Sequence, residues 1–251
     1  MRLDKFLAEK GIGSRSQVKD ILKKGRVCVD GCIIKRPDFK LTIINGRLKN
    51  EVTLDEMPLV YQKYEYYMLN KPAGVISATK DYSEKTVLDL METDRRDLFP
   101  VGRLDKDTEG LLIITNDGEL SHNLLSPRKM IPKTYLVRVN GPIEQTHIKT
   151  FADGVKIHDR SKNEELVKLR ESQLEILGSG EESEVKVTIV EGKYHQVKRM
   201  FAAIDRKVLY LKRLSMGSLQ LDESLDPGEY RRLTEDELAG LGDNDERLLT
   251  D

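Results

Sequence analysis

Cysteine is scarce in this 251-residue chain: it occurs only as Cys28 and Cys32. The four histidines, at positions 122, 147, 158 and 195, are scattered, and none lies close to that pair in sequence. No four-ligand zinc pattern can be drawn from them, and no metal is expected. Two thiols beside a hairpin turn read as small, semi-buried residues of a reducing cytosol. No apolar run approaches the length that crosses a membrane, and the N-terminus lacks a signal-peptide core. A soluble, cytoplasmic, monomeric protein is the expectation. There is no glycine-rich nucleotide loop, so no cofactor is expected either. Regular strand–helix–strand spacing and internal repeats are also missing, which points to an α+β fold with a largely antiparallel sheet.

A marked net charge is missing too, but the value of -1 averages two opposed ends. Residues 1–50 carry 13 Lys and Arg against 5 Asp and Glu, whereas residues 221–251 carry 3 against 11. A basic front and an acidic tail suggest nucleic-acid binding at the front. The length accommodates one large domain and one small one, and a hydrophobic content of 38% supports a core.

In the front segment, Leu3, Phe6 and Leu7 fall at helical spacing, and Gly11 and Gly13 end that helix. Ser14 can cap a second helix with Val18, Ile21 and Leu22 on its core face, and Gly25 stops it. Arg15, Lys19 and Lys23 recur every fourth residue and form one cationic stripe, extended by Lys24 and Arg26. Like charges along one face repel unless an anion binds there, so the stripe is read as an RNA contact. Residues Arg26–Ile34 read as a hairpin around Asp30-Gly31. Two short helices and a hairpin resemble the S4 RNA-binding domain. Residues 51–62, with Pro58, read as a linker. The expected division is residues 1–58 for RNA binding, 59–232 for a second domain and 233–251 for a flexible acidic tail.

Further along, Val101–Thr115 places Asp105 on a polar loop that runs into the apolar Leu111, Leu112, Ile113 and Ile114. A carboxylate on a tight loop between strands is rigid yet exposed, as a nucleophile or base requires. Asp105, Asp107, Glu109 and Gly110 also match the first half of a helix-loop-helix calcium site. The twelfth position is Asn116 instead of the bidentate Glu, and the flanks read as strands, which argues against calcium. An ordinary polar turn fits the segment equally well when it is taken alone.

Other segments change that balance. Gly102-Arg103-Leu104-Asp105 with Thr108, Gly110, Leu111 and Leu112 resembles the catalytic signature of bacterial ribosomal RNA pseudouridine synthases. Leu69–Val75, Lys133-Thr134-Tyr135 and Glu191–Phe201 match in the expected order, covering about residues 60 to 232. The last segment, with Tyr194-His195 and Lys198-Arg199, most resembles the branch that acts on small-subunit RNA. Large-subunit relatives usually carry an Asn-Arg pair and two arginines there.

The resemblance implies a mixed-sheet domain with a central cleft, ribosomal RNA as partner, and a uridine of 16S RNA, position 516, as target. A sister enzyme of the large subunit and a non-catalytic ribosome-associated RNA-binding protein are the rival readings. By resemblance, Asp105 is the catalytic carboxylate, acting on base or sugar, and Tyr135 packs on the target uracil. Lys198 is the cation beside the acid, with Arg199 the neighbouring candidate. Arg103 and Lys133 support the site, Lys133 near phosphate. Burial alone would neutralise Asp105, so a nearby cation is required.

Strands are expected at 66–69, 74–77, 111–114, 135–139 and 185–190. Helices are expected at 86–91, 119–125, 143–151 and 195–204. Val197, Met200, Phe201 and Ile204 form the buried face of the last helix.

Overall fold

The computed structural model describes residues 1–44, 47–59, 63–93, 95–159 and 165–242. The chain forms two compact units, residues 1–64 and 65–251.

The first unit opens with α1 (Leu3–Glu9) and α2 (Arg15–Lys23). Ser14 and Gln17 form a reciprocal capping box at the start of α2, satisfying backbone donors that a helix end leaves unpaired. β1 (Val27–Val29) and β2 (Cys32–Ile33) make the hairpin, and β3 (Ile43–Ile44) pairs with β4 (Arg47–Leu48). The segment read as a linker is largely sheet. β5 (Val52–Leu54) pairs with β1, and β6 (Met57–Pro58) pairs with β5. Val52 is buried among Leu3, Phe6, Val18, Leu22, Val27 and Val29, so the segment belongs to this core. Pro58 suggested a break, but it sits on an edge strand, where a missing N–H costs nothing. Positions 60–62 of the expected linker lie outside the described residues.

The second unit starts with β7 (Tyr66–Lys71), β8 (Phe99–Pro100) and β9 (Glu109–Thr115), followed by α3 (Gly118–Leu125). Next come β10 (Lys133–Asn140), α4 (Gln145–Asp153), and the hairpin of β11 (Lys156–Asp159) and β12 (Glu165–Lys168). Then follow β13 (Gln173–Gly178), β14 (Glu182–Ile189), α5 (Gln196–Ala202) and β15 (Val208–Met216). β16 (Leu219–Gln220), β17 (Tyr230–Arg232) and α6 (Glu235–Gly242) complete the described chain.

The main sheet runs β13-β14-β10-β15-β9-β7-β17. All neighbours on this path are antiparallel except β15 and β9, which run parallel. The fold is therefore α+β with a mixed, mostly antiparallel sheet. One face packs Leu69, Leu112, Tyr135, Val137, Val187, Met200 and Phe201 together. Another cluster holds Met68, Leu111, Ile113, Leu124 and Met216.

Several local expectations change. Residues 74–77 form no strand, only a bridge from Ile76 to Thr86, and 86–91 shrinks to a 3-10 turn at Leu88–Leu90. β15, at the middle of the sheet, was not anticipated. Its Lys212-Arg213 pair breaks the apolar alternation, yet Arg213 is buried and donates to the Leu111 carbonyl at 2.7 Å. Residues 235–242 of the expected flexible tail form a helix. α6 buries Leu241 against the second cluster, and Arg231 ties Asp222 to Glu237 at 2.6 and 2.8 Å. Positions 243–251 lie outside the described residues.

Candidate active site

Asp105 opens a tight turn between β8 and β9, closed by the Thr108 amide donating to the Asp105 carbonyl at 3.0 Å. The turn is anchored on both sides. Before it, the Ser77 hydroxyl donates to the Leu104 carbonyl at 2.9 Å and accepts from the Leu104 amide at 3.0 Å. After it, the Gly74 amide donates to the Lys106 carbonyl at 2.7 Å. Lys71 is wholly buried beneath the loop. Its ammonium donates to the carbonyls of Thr108 at 2.8 Å, Pro72 at 3.0 Å and Lys106 at 3.4 Å. Burial lowers the Lys71 amine to about 8, against the opposing pull of Asp107, Glu109 and Asp105. Gly110, at φ +97°, lets the loop enter β9. A Cβ there would lie 2.2 Å from the Arg213 carbonyl oxygen of the parallel neighbour β15, so no larger residue fits.

α5 supplies the cation. Its apolar residues Val197, Met200 and Phe201 are buried, which fixes the rotation of the helix. Lys198 Nζ then lies 3.3 Å from Asp105 Oδ2 and 2.6 Å from Asp107 Oδ1. Burial lowers the Lys198 amine, but the hydrogen bond to Asp107 and the charge of Asp105 outweigh it, leaving a net rise. The same hydrogen bond holds the Asp107 carboxyl below its usual range. His195, in the left-handed region at φ 49°, places Nε2 3.5 Å from Asp105 Oδ1 and stacks on Tyr194 with centroids 3.8 Å apart.

Tyr135, on β10 and almost buried, lines the pocket of Asp105 with Arg103, Thr108, His195 and Lys198. This pocket adjoins a wider cavity of about 640 Å³ lined by Ser77, Arg103, Asp105, Lys133, Lys193 and His195. Asp105, Arg103, Tyr135, Lys133 and Lys198 therefore share one cleft.

Arg199, the other candidate for pairing with the acid, lines a different cavity and donates to the Tyr194 carbonyl at 3.1 Å. Lys133 differs from a solvent-facing phosphate contact: it is buried in the cavity wall and donates to the Ile131 carbonyl at 2.9 Å. Burial, then the nearby Arg213 charge, lowers its amine to about 8.

In the first unit Arg15, Lys19 and Lys23 are exposed on α2, as a contact stripe needs. Arg26 is already compensated by Asp55, to which its Nε donates at 2.9 Å.

Lys71, Ser77 and His195 received no role from the sequence. Lys71 left a signal: a lysine ending the apolar run Tyr66–Leu69 must either be solvated or find acceptors.

A carboxylate on a clamped turn, a lysine against it and a tyrosine in the same cleft, all on a mixed sheet, define a class. The chain belongs to the RNA pseudouridylate synthase family, whose model matches residues 65–203, and an S4 domain matches residues 1–43. It is an RNA-modifying isomerase with an RNA-binding module in front. More particularly, it is 43% identical over 244 residues to the ribosomal small subunit pseudouridine synthase A of Salmonella typhimurium, covering 96% of this chain and 100% of that protein. The Escherichia coli K12 protein of the same name is 41% identical over 243 residues, covering 96% and 100%. The uncharacterized RNA pseudouridine synthase YtzG of Bacillus subtilis is 48% identical over 245 residues, covering 97% and 99%. A crystal structure of pseudouridylate synthase matches with a TM-score of 0.65 and 37% identity, over 96% of this chain and 99% of that one.

Proposed function

We propose that this protein converts one uridine of 16S ribosomal RNA to pseudouridine, with Asp105 as the catalytic carboxylate. The observation that carries the reading is the pairing of Asp105 with Lys198 in the cleft that Tyr135 lines. Lys198 gives the carboxylate a fixed charged partner 3.3 Å away inside the cleft. The small-subunit target comes from the names of the relatives and from the Tyr194-His195 and Lys198-Arg199 pairs.

The reaction breaks the bond between ribose C1′ and uracil N1, turns the base, and joins C1′ to C5. N1 gains a proton and C5 loses one, so the product is an isomer. The target base must leave its helix to reach the cleft. Tyr135 gives the extruded uracil an aromatic wall with a polar tip. Lys71 and Ser77 keep the Asp105 turn rigid while the base rotates. Arg103 and Lys193, lining the wider cavity, suit the RNA backbone, and the stripe of Arg15, Lys19 and Lys23 holds the structured RNA. We infer that the protein acts as a cytoplasmic monomer. The location is supported by relatives named for the ribosomal small subunit.

The test is incubation with unmodified 16S and 23S transcripts, followed by carbodiimide labelling and primer extension. One 16S stop is expected, with position 516 the first to inspect. Asp105→Asn should remove it while leaving RNA affinity within about twofold. A stop only in 23S RNA would move the target to the large subunit. An Asn variant that turns over would remove Asp105 from the chemistry.

A further inference from the structure

Beside the catalytic cleft lies a second cavity of about 490 Å³, lined by Lys156, His158, Leu166, Tyr194, His195 and Arg199 among others. Its size is that of a small-ligand site. Tyr194 and His195 line both cavities, so a stacked pair of rings divides them. His195 turns one edge to Asp105 and presents its ring to Tyr194. Tyr194 is 59% exposed, which leaves ring surface open to a ligand. The cationic side is supplied by Lys156 on β11 and Arg199 on α5, and no carboxylate lines the cavity among the described residues. Arg199 Nη2 is buried with no hydrogen-bond acceptor among the described residues. An exposed aromatic ring next to uncompensated cations suits a base carrying a phosphate better than an apolar or acidic peptide.

The geometry points to a subsite for the nucleotide adjoining the target uridine, its base stacked on Tyr194 and its phosphate held by Lys156 and Arg199. This rests on the function proposed above. With the uridine in the catalytic cleft, a neighbouring unit of the chain that passes the dividing rings enters this second cavity. The Tyr194–His195 partition is therefore the place to hold it. The subsite would couple recognition of the neighbour to the position of His195, and through it to the Asp105 pocket. It would favour a flat, stackable neighbour over none, without reading every base edge.

The test uses the full chain and RNA fragments centred on the mapped target uridine. Each neighbouring base is removed in turn as an abasic site, and each neighbouring phosphate is replaced in turn by a methylphosphonate. For wild type, an abasic site on one side should raise KM about 5- to 150-fold, the range for losing one base–aromatic stack. Tyr194→Ala should raise KM by a similar factor on intact RNA and show no further loss on that abasic RNA. Tyr194→Phe should restore the wild-type pattern, because it keeps the ring. Lys156→Gln should flatten the salt dependence by about 0.7 log units per log unit of salt on intact RNA, but not on the RNA lacking that phosphate charge. The exposed position of Tyr194 and Lys156 leaves the core intact in each variant, which a thermal melt confirms. If the Tyr194→Ala and abasic penalties multiply on both sides, the subsite is wrong while the synthase reading stands. Wild-type protein that forms no pseudouridine in either 16S or 23S RNA would overturn both.

Discussion

Replacing Lys71 by Met separates the support of the active-site turn from the stability of the fold. Its ammonium makes two good hydrogen bonds, to Thr108 and Pro72, and a longer one to Lys106. Hydrogen bonds from a charged donor contribute roughly 1.5–3 kcal/mol each, so the two good ones are worth about 3–6 kcal/mol. Against that stands the cost of burying the charge. A fall from 10.5 to about 8 corresponds to about 3 kcal/mol. Methionine fills similar space without that cost, so the net loss of stability should be only about 0–3 kcal/mol. The effect on rate should be larger. The turn carrying Asp105 loses its anchor at Lys106 and Thr108, and a displacement of about 1 Å can cost 100-fold.

The pH dependence has a definite sign. Between pH 8 and 10.5 the unfolded lysine holds more protons than the folded one, so stability rises with pH across that window and is flat below it. Lys133 contributes in the same direction over the same range. Tyr67 and Tyr210, raised to about 12 by burial and their Glu65 and Glu109 partners, act oppositely above about pH 10, so the clean window is pH 8–9.5. Urea unfolding at half-unit pH steps should show a positive slope in wild type and about half of it in Lys71→Met. Single-turnover pseudouridine formation should fall about 100-fold. A variant with wild-type turnover and an unchanged slope would refute the clamp.

Lys198→Met should lower turnover at saturating RNA about 10- to 100-fold, since it removes the cation 3.3 Å from Asp105. Arg199→Met should act mainly on KM, and a kcat loss exceeding that of Lys198→Met would reverse the two roles. Tyr135→Ala should lose most activity and Tyr135→Phe much less if stacking dominates; equal losses in single-turnover assays would assign the work to the hydroxyl. Changing Arg15, Lys19 and Lys23 together to Gln should reduce the slope of log affinity against log salt by about two to three units, and an identical slope would make the stripe a merely solvated face.

Much of the enzyme could be read directly from the chain. The Asp105 turn announces itself because a polar loop interrupts apolar strand sequence. The first helix pair is legible because Ser14 caps α2 while Val18 and Leu22 repeat at helical spacing. β10 and β14 show clear alternation between buried and outward residues. β15 was missed because its buried Arg213 masks that alternation, and its acceptor, the Leu111 carbonyl, is 102 residues away. α6 was missed because charge dominates the composition of the tail, while Leu241 and the Arg231–Glu237 pair hold the helix.

The ordered segments around Asp105, Tyr135 and Lys198 were enough for the class of chemistry through their resemblance to the synthases, and the basic front was legible from residue type alone. The partners of the acid were not. Lys198 and Arg199 are adjacent and alike in charge, but successive helix residues point about 100° apart. Burying Val197, Met200 and Phe201 turns Lys198 to Asp105 and Arg199 to the neighbouring cavity. Lys71 likewise becomes a clamp only because β7 lies against β9 and brings it under the carbonyls of the turn. Such meetings depend on the packing of distant segments, which periodicity along the chain does not encode.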